Sequence, residues 1–138
     1  MRNRTLAREI SLQYLYLTEI TKRSGFEVEH LRQTVSNFAL ANTTPAYIET
    51  LVSGVIVEKE KAVLLIQERA KNWHINRILP IDRILLRMGI YEMFNSEDVP
   101  YKVAINEAVE LAKRFSSSKS GAFVNGILDS IGKDHGLR

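Results

Sequence analysis

The chain has no cysteine, three prolines, seven glycines and one tryptophan in 138 residues. Without thiols there are no disulfides, no thiolate nucleophiles and no zinc sites built on sulfur, and the composition fits a reducing compartment. Long hydrophobic runs are missing too: the longest apolar stretches are a few residues, far short of the roughly 20 needed to span a bilayer. The opening Met1-Arg2-Asn3-Arg4-Thr5 lacks the apolar run and small-residue cleavage site of a signal peptide. A cytoplasmic protein with no membrane association is expected. A strong charge of either sign is also lacking, since the formal net charge is +3 and the isoelectric point about 9.3. That excess points to nucleic acid only where it is clustered.

What is present is helical periodicity, in a chain of 45% hydrophobic and 25% charged residues that is long enough for one domain with a real core. No alternating segment lasts long enough to anchor a sheet. From about Thr5 to Thr21, the residues Leu6, Ile10, Tyr14, Leu17 and Thr21 follow one face. A second stripe, Val28, Leu31, Val35 and Phe38, runs through Phe26 to Leu40, between Gly25 and the turn residues Asn42-Thr43-Thr44-Pro45. Pro45 suits a helix start, and the helix after it is expected to reach about Asn72, with Glu58 to Lys61 in its exposed middle and Gly54 its weak point. Trp73 to Leu79 forms a connector. Pro80 opens a helix through Phe94, with Ile84, Leu85, Met88 and Tyr91 inward. Pro100 opens another to about Phe115, where Ala104, Ala108, Leu111, Ala112 and Phe115 share a face. After the serine-rich loop Ser116 to Ser120, the last helix carries Phe123, Val124, Ile127, Leu128 and Ile131, with Gly132 as its expected stop. The expected fold is all-α: one domain over residues 1–138, with six to seven helices in two small three-helix-type bundles, about 1–72 and 73–138.

No catalytic constellation emerges. His30, His74 and His135 are far apart in sequence, with no partner at ligand spacing, so no metal site or cofactor is expected. The G-x-S-x-G elbow and the glycine-rich phosphate loops are absent. Glu107 and Glu110 lie beside Lys113 and Arg114, as a solvated helix face would.

The basic residues carry more information. Arg4 and Arg8 lie one turn apart, with Arg2 just ahead. Arginine at a helix N-terminus opposes the macrodipole. A phosphate partner would compensate that cost, and composition alone leaves this and a merely solvated helix start both open. Arg83 and Arg87 share a face, and Lys113, Arg114 and Lys119 flank the serine loop. Backbone N–H groups at the start of the last helix, with Ser118, Lys119 and Ser120, suit a phosphate. Phe123 just inside that helix is either core or a stacking surface for an unpaired base.

Three segments resemble the NusB family: AREISLQYLY (Ala7 to Tyr16), IDRILLRMGIYE (Ile81 to Glu92), and DVPYKVAINEAVELAKRF (Asp98 to Phe115) followed by FVNGILD (Phe123 to Asp129). The resemblance spans essentially the whole chain, with Phe26 to Asn72 its least diagnostic part. It implies an all-helical protein of two bundles that catalyses nothing. It implies binding to the single-stranded boxA element of ribosomal RNA leader transcripts, jointly with NusE, a protein of the small ribosomal subunit. It also implies entry into an RNA polymerase antitermination complex that reads through terminators. Carried onto this chain, the RNA-binding residues are Arg2, Arg4, Arg8, Tyr16, Asp82, Arg83, Lys119, Ser120, Phe123 and Asn125. The arginine-rich start is thinner here, because Thr5 and Leu6 stand where relatives often have arginine. Asp82 would accept hydrogen bonds from base amino groups. Tyr101 and Lys102 are the candidates for the protein partner's surface.

Three other readings remain at this point. A NusB-like domain also heads certain RNA cytosine methyltransferases, whose long catalytic domain this sequence does not contain. A helical adaptor that binds only proteins would show no counterion-release slope with RNA. A small helical enzyme would need a nucleophile and base that the sequence does not supply.

Overall fold

The computed structural model describes residues 2–20, 45–71 and 77–137, and every regular element among them is an α-helix. In chain order these are α1 (Arg2–Ile20), α2 (Pro45–Val57), α3 (Lys59–Arg69), α4 (Pro80–Asn95), α5 (Tyr101–Phe115) and α6 (Ser118–Asp134). The expected all-α class is therefore observed. The stripe expected over Phe26 to Leu40 lies outside the described residues, as does most of the Trp73 to Leu79 connector. The chain divides into two compact units, 1–57 and 58–138. The division falls well before that connector, because α3 packs on α4 and α6 and so belongs with the second unit.

In the first unit α1 packs on α2. Ile10 and Tyr14 are buried as the periodicity predicts, but Leu17 is 52% exposed. The buried arc of α1 instead centres on Ala7, Ser11 and Leu15, rotated from the expected stripe by a little over a quarter turn. The shift is possible because Ser11 is polar only in name here: its hydroxyl donates to the carbonyl of Ala7 at 2.8 Å and needs no water. On α2 the buried set Ile48, Leu51, Val52 and Val55 keeps helical spacing.

The single helix expected from Pro45 to Asn72 is two. The break is at Glu58, whose backbone leaves the helical region at φ −96°, ψ 20°, and not at Gly54. Between Val55 and Ala62 no side chain is buried, and Val57 is 81% exposed. Nothing in that stretch is anchored by packing, which is what usually holds short helices together.

The second unit is built around α4. Pro80 occupies its first turn, and Ile84, Leu85, Leu86, Met88, Ile90 and Met93 are buried along it. Tyr91, expected inward, is half-buried. Along α5 the buried face is mostly small, Ala104, Ala108 and Ala112 with Ile105 and Leu111, so α6 can approach closely. Phe115, at the end of that face, is half-buried. Glycines mark the tightest approaches. A β-carbon on Gly89 of α4 would lie 2.6 Å from Cδ1 of Leu128, and one on Gly132 of α6 would lie 2.8 Å from Cε2 of Tyr101. At its C-terminus α3 is tied to α6 by Arg69, whose guanidinium donates to Asp134 at 2.6 Å and to the carbonyl of Leu65 at 3.1 Å.

Gly132 is thus a packing position within α6, not its stop. The helix continues to Asp134, and the glycine that ends it is Gly136, at φ +63°. The amide of Leu137 returns to the carbonyl of Gly132 at 2.9 Å and that of Gly136 to Lys133 at 3.2 Å, an end in which left-handed glycine releases the chain while the last carbonyls stay satisfied.

Two glycines of α6 therefore predict opposite outcomes for one substitution. Gly132→Ala drives a methyl into the Tyr101 ring and should cost about 1–3 kcal/mol of overpacking. Gly126 has nothing within 4 Å of where its β-carbon would stand, so Gly126→Ala should stabilise by up to about 1 kcal/mol through helix propensity. Chemical denaturation of both variants checks the pair, and a shift of the same sign in both would contradict the packing described.

Candidate nucleic-acid interface

The N-terminal arginines meet an aromatic ring before they meet solvent. Tyr47, in the first turn of α2, lies under the guanidinium of Arg4 at 4.8 Å and that of Arg8 at 5.8 Å. Such contacts contribute about 0.5–2 kcal/mol each, which offsets the cost of positive charge at the start of α1. Arg8 also donates to the Tyr47 hydroxyl at 3.4 Å and is only 1% exposed. Arg8, the expected phosphate contact, is thereby engaged by Tyr47 inside the first unit. Arg4 is half-buried, and Tyr16, also half-buried, stands about 18 Å further along the axis. The side chain of Arg2 lies outside the described residues. Tyr47 escaped the sequence reading because its only signal was a position just after a helix-starting proline.

In the second unit the serine loop and the start of α6 form a hydrogen-bonded cluster. Ser117 caps α6, its hydroxyl accepting the amide N–H of Ser120 at 3.1 Å. The hydroxyl of Ser120 donates to Oδ2 of Asp82, in the first turn of α4, at 2.9 Å, and lies 2.8 Å from the hydroxyl of Ser116. Asp82 and Ser120 are each only 4% exposed. Asp82 and Ser120, both expected RNA contacts, thus bond to each other in the interior of the second unit. Around this buried cluster the exposed side chains are cationic: Lys113, Arg114 and Lys119. The stem of Lys113 runs across Gly121, where an added β-carbon would lie 2.8 Å from its Cγ. Arg83 is half-buried beside Asp82 in sequence, and Asn125 is exposed on α6.

Phe123 is half-buried and lines a cleft of about 390 Å³ with Arg69, Lys71, Ala122, Gly126, Ile127 and Ser130. Arg69 is held there by Asp134 and Glu68, while Lys71 is exposed at the rim, and an apolar wall beside a cation suits a flat, unpaired base and its phosphate. Arg69 and Lys71 were not anticipated, because only the packing of α3 on α6 brings them beside Phe123. A second cleft, of about 350 Å³, joins Tyr101 to Met93, Phe94, Val99 and Leu137, with Glu97 and Asp98 at its edge. Tyr101 is half-buried and Lys102 exposed. Among the described residues no group of three or more His, Asp or Glu side chains is placed to hold a metal, and no helix is long and apolar enough to cross a membrane.

Burial pushes the carboxyl of Asp82 up from its ordinary value, partly opposed by the hydrogen bond from Ser120. A raised carboxyl favours folding while protonated. That contribution is complete below its unfolded value of about 3.9 and is lost as pH rises through the folded value. Asp82→Asn keeps an oxygen for Ser120 but cannot ionise, so its stability relative to the natural protein should improve as pH rises from 4 to 7. Urea melts across that range check this, and a difference that stays flat with pH would contradict it.

The model of the NusB family matches residues 5–133. The transcription antitermination protein NusB of Acetivibrio thermocellus is 40% identical over 130 residues, covering 94% of this chain and 88% of that protein. That of Clostridium perfringens is 38% identical over 132 residues, covering 96% and 98%. Among solved structures, that of the antitermination factors NusB and NusE in complex with dsRNA superposes with a TM-score of 0.82 at 27% identity, covering 97% of this chain and 98% of that one. Likeness of this extent, in sequence and in the path of the backbone together, settles the family: the chain belongs to the NusB family, whose curated members are transcription antitermination proteins.

Proposed function

We propose that this protein binds a single-stranded boxA-type element of ribosomal RNA leader transcripts together with NusE, and thereby helps an RNA polymerase antitermination complex read through terminators. It catalyses no reaction and works in the cytoplasm, where transcripts are made. The observation that carries this reading is the exposed cationic rim around the start of α6 next to the cleft lined by Phe123. Lysine and arginine supply salt-dependent attraction to phosphate, while an aromatic ring and an amide address unpaired bases. Within the RNA-binding set, Arg2, Arg4, Arg83 and Lys119 serve phosphates, and Tyr16, Phe123 and Asn125 serve bases. Arg8, Asp82 and Ser120 support from within. NusE, the small-subunit ribosomal protein, docks where Tyr101 and Lys102 lie. A solved relative holds NusE and double-stranded RNA, which supports the choice of partners while leaving the RNA's strandedness to experiment.

Titrating the protein into labelled boxA RNA, scrambled RNA and duplex RNA, with and without NusE, tests the reading. Preference for unpaired boxA that tightens with NusE is the expected result, with a reciprocal effect of RNA on NusE affinity. Lys119→Ala should weaken binding and reduce the slope of log K against log salt by about 0.7, the share of one single-stranded phosphate. No binding to any of the three RNAs, even with NusE at low salt, would leave a protein-only adaptor as the better description.

A further inference from the structure

The hydrogen bonds around Ser120 have a direction. Its hydroxyl has one proton, and an ionised carboxylate can only accept, so that proton goes to Asp82 at 2.9 Å. Ser120 must then act as acceptor toward its neighbours: Ser116 donates to it at 2.8 Å and Ser117 at 3.3 Å. The hydroxyl of Ser117 in turn accepts the amide of Ser120, and its carbonyl accepts the amide of Gly121, both at 3.1 Å. Three serines are thereby oriented by one acid on another helix.

The buried carboxylate also sits where two helices begin, in the first turn of α4 and against the first turn of α6. Both positive helix ends favour its charge. Yet Oδ1 of Asp82 is buried with no hydrogen-bond partner, a cost that an apolar contact in the same place would avoid. What the arrangement delivers is a first turn of α6 with its inner amides, those of Ser120 and Gly121, already satisfied. The amides of Ser118 and Lys119 have no intrahelical acceptor, and Lys119 is exposed on the same turn.

We propose that Asp82 is a positioning residue that acts through Ser120, locking the Ser116–Ser117 turn and the start of α6 so that Lys119 and Phe123 are held as RNA requires, without touching RNA itself. This rests on the RNA-binding reading above, and the two can fail separately.

The experiment compares Asp82→Ala, Ser120→Ala, the double variant and Asp82→Asn, all well below their melting temperatures. In the protein without RNA, amide hydrogen exchange at Ser120 and Gly121 should speed up by about tenfold in either alanine variant, the shift that loss of one charge-assisted hydrogen bond produces. The double variant should exchange no faster than the faster single one, and Asp82→Asn should restore slow exchange. With boxA RNA, the alanine variants should bind several-fold more weakly at an unchanged salt slope, because no phosphate contact is removed, and Asp82→Asn should bind normally. Unaltered exchange with lost affinity and altered base preference would make Asp82 a direct contact and overturn the positioning role. Altered exchange with full affinity would overturn it too, leaving a purely structural bond. If the natural protein itself binds no RNA, the RNA-binding reading fails, and with it the proposal. Should Asp82→Ala not fold, Ser120→Ala against Asp82→Asn makes the same distinction.

Discussion

The close approach of α4, α5 and α6 is the constraint on which the second unit depends. It is set by what is missing from three positions: side chains at Gly89, Gly121 and Gly132 would collide with Leu128, Lys113 and Tyr101. Small residues cost helix propensity, about 1 kcal/mol for each glycine relative to alanine, and close packing is what offsets it. With the axes drawn together, the first turn of α4 comes within hydrogen-bond reach of the first turn of α6. The Asp82–Ser120 bond is therefore a consequence of the packing as much as a contributor to it.

That geometry divides the polar residues into two kinds. Arg8, Asp82 and Ser120 are inside, their charges and hydroxyls engaged by Tyr47 or by each other. Lys113, Arg114, Lys119 and Asn125 are exposed on the outside. A buried charge in a polar network is costly unless its partners are held in place, so the inner group is best understood as a scaffold and the outer group as the face it presents. Tyr47 plays the equivalent part in the first unit, carrying Arg4 on its ring.

The elements that were legible in the sequence are those whose signals are local. Pro45 and Pro80 mark helix starts because their missing N–H groups cost nothing there, and Ala104, Ala108, Leu111 and Ala112 announce the inner face of α5 by spacing alone. The misreadings share one cause, a partner distant in the chain. Gly132 looked like a terminator because the Tyr101 ring that needs its space lies on another helix, while Gly136, four residues on, does the terminating. Arg8 left a phosphate contact and a solvated helix start both open, because the Tyr47 that engages it lies on another helix. The helix read as continuous from Pro45 to about Asn72 breaks at Glu58, in a stretch where no side chain between Val55 and Ala62 is buried, and not at its expected weak point Gly54. For the candidate site, the serine loop and the family resemblance suggest Lys119 and Phe123, whereas Arg69 and Lys71 join Phe123 only through tertiary packing.

The central claim is that the start of α6, held from within and cationic without, is the surface that receives RNA. Mapping backbone amide shifts in the isotope-labelled protein as unpaired boxA RNA is added tests this most directly. The account predicts that the largest changes fall on Ser118, Lys119 and the residues around Phe123, with smaller ones near Arg4. Changes confined to the cleft at Glu97 to Tyr101, or none at all at RNA concentrations that saturate NusE-dependent binding, would contradict it.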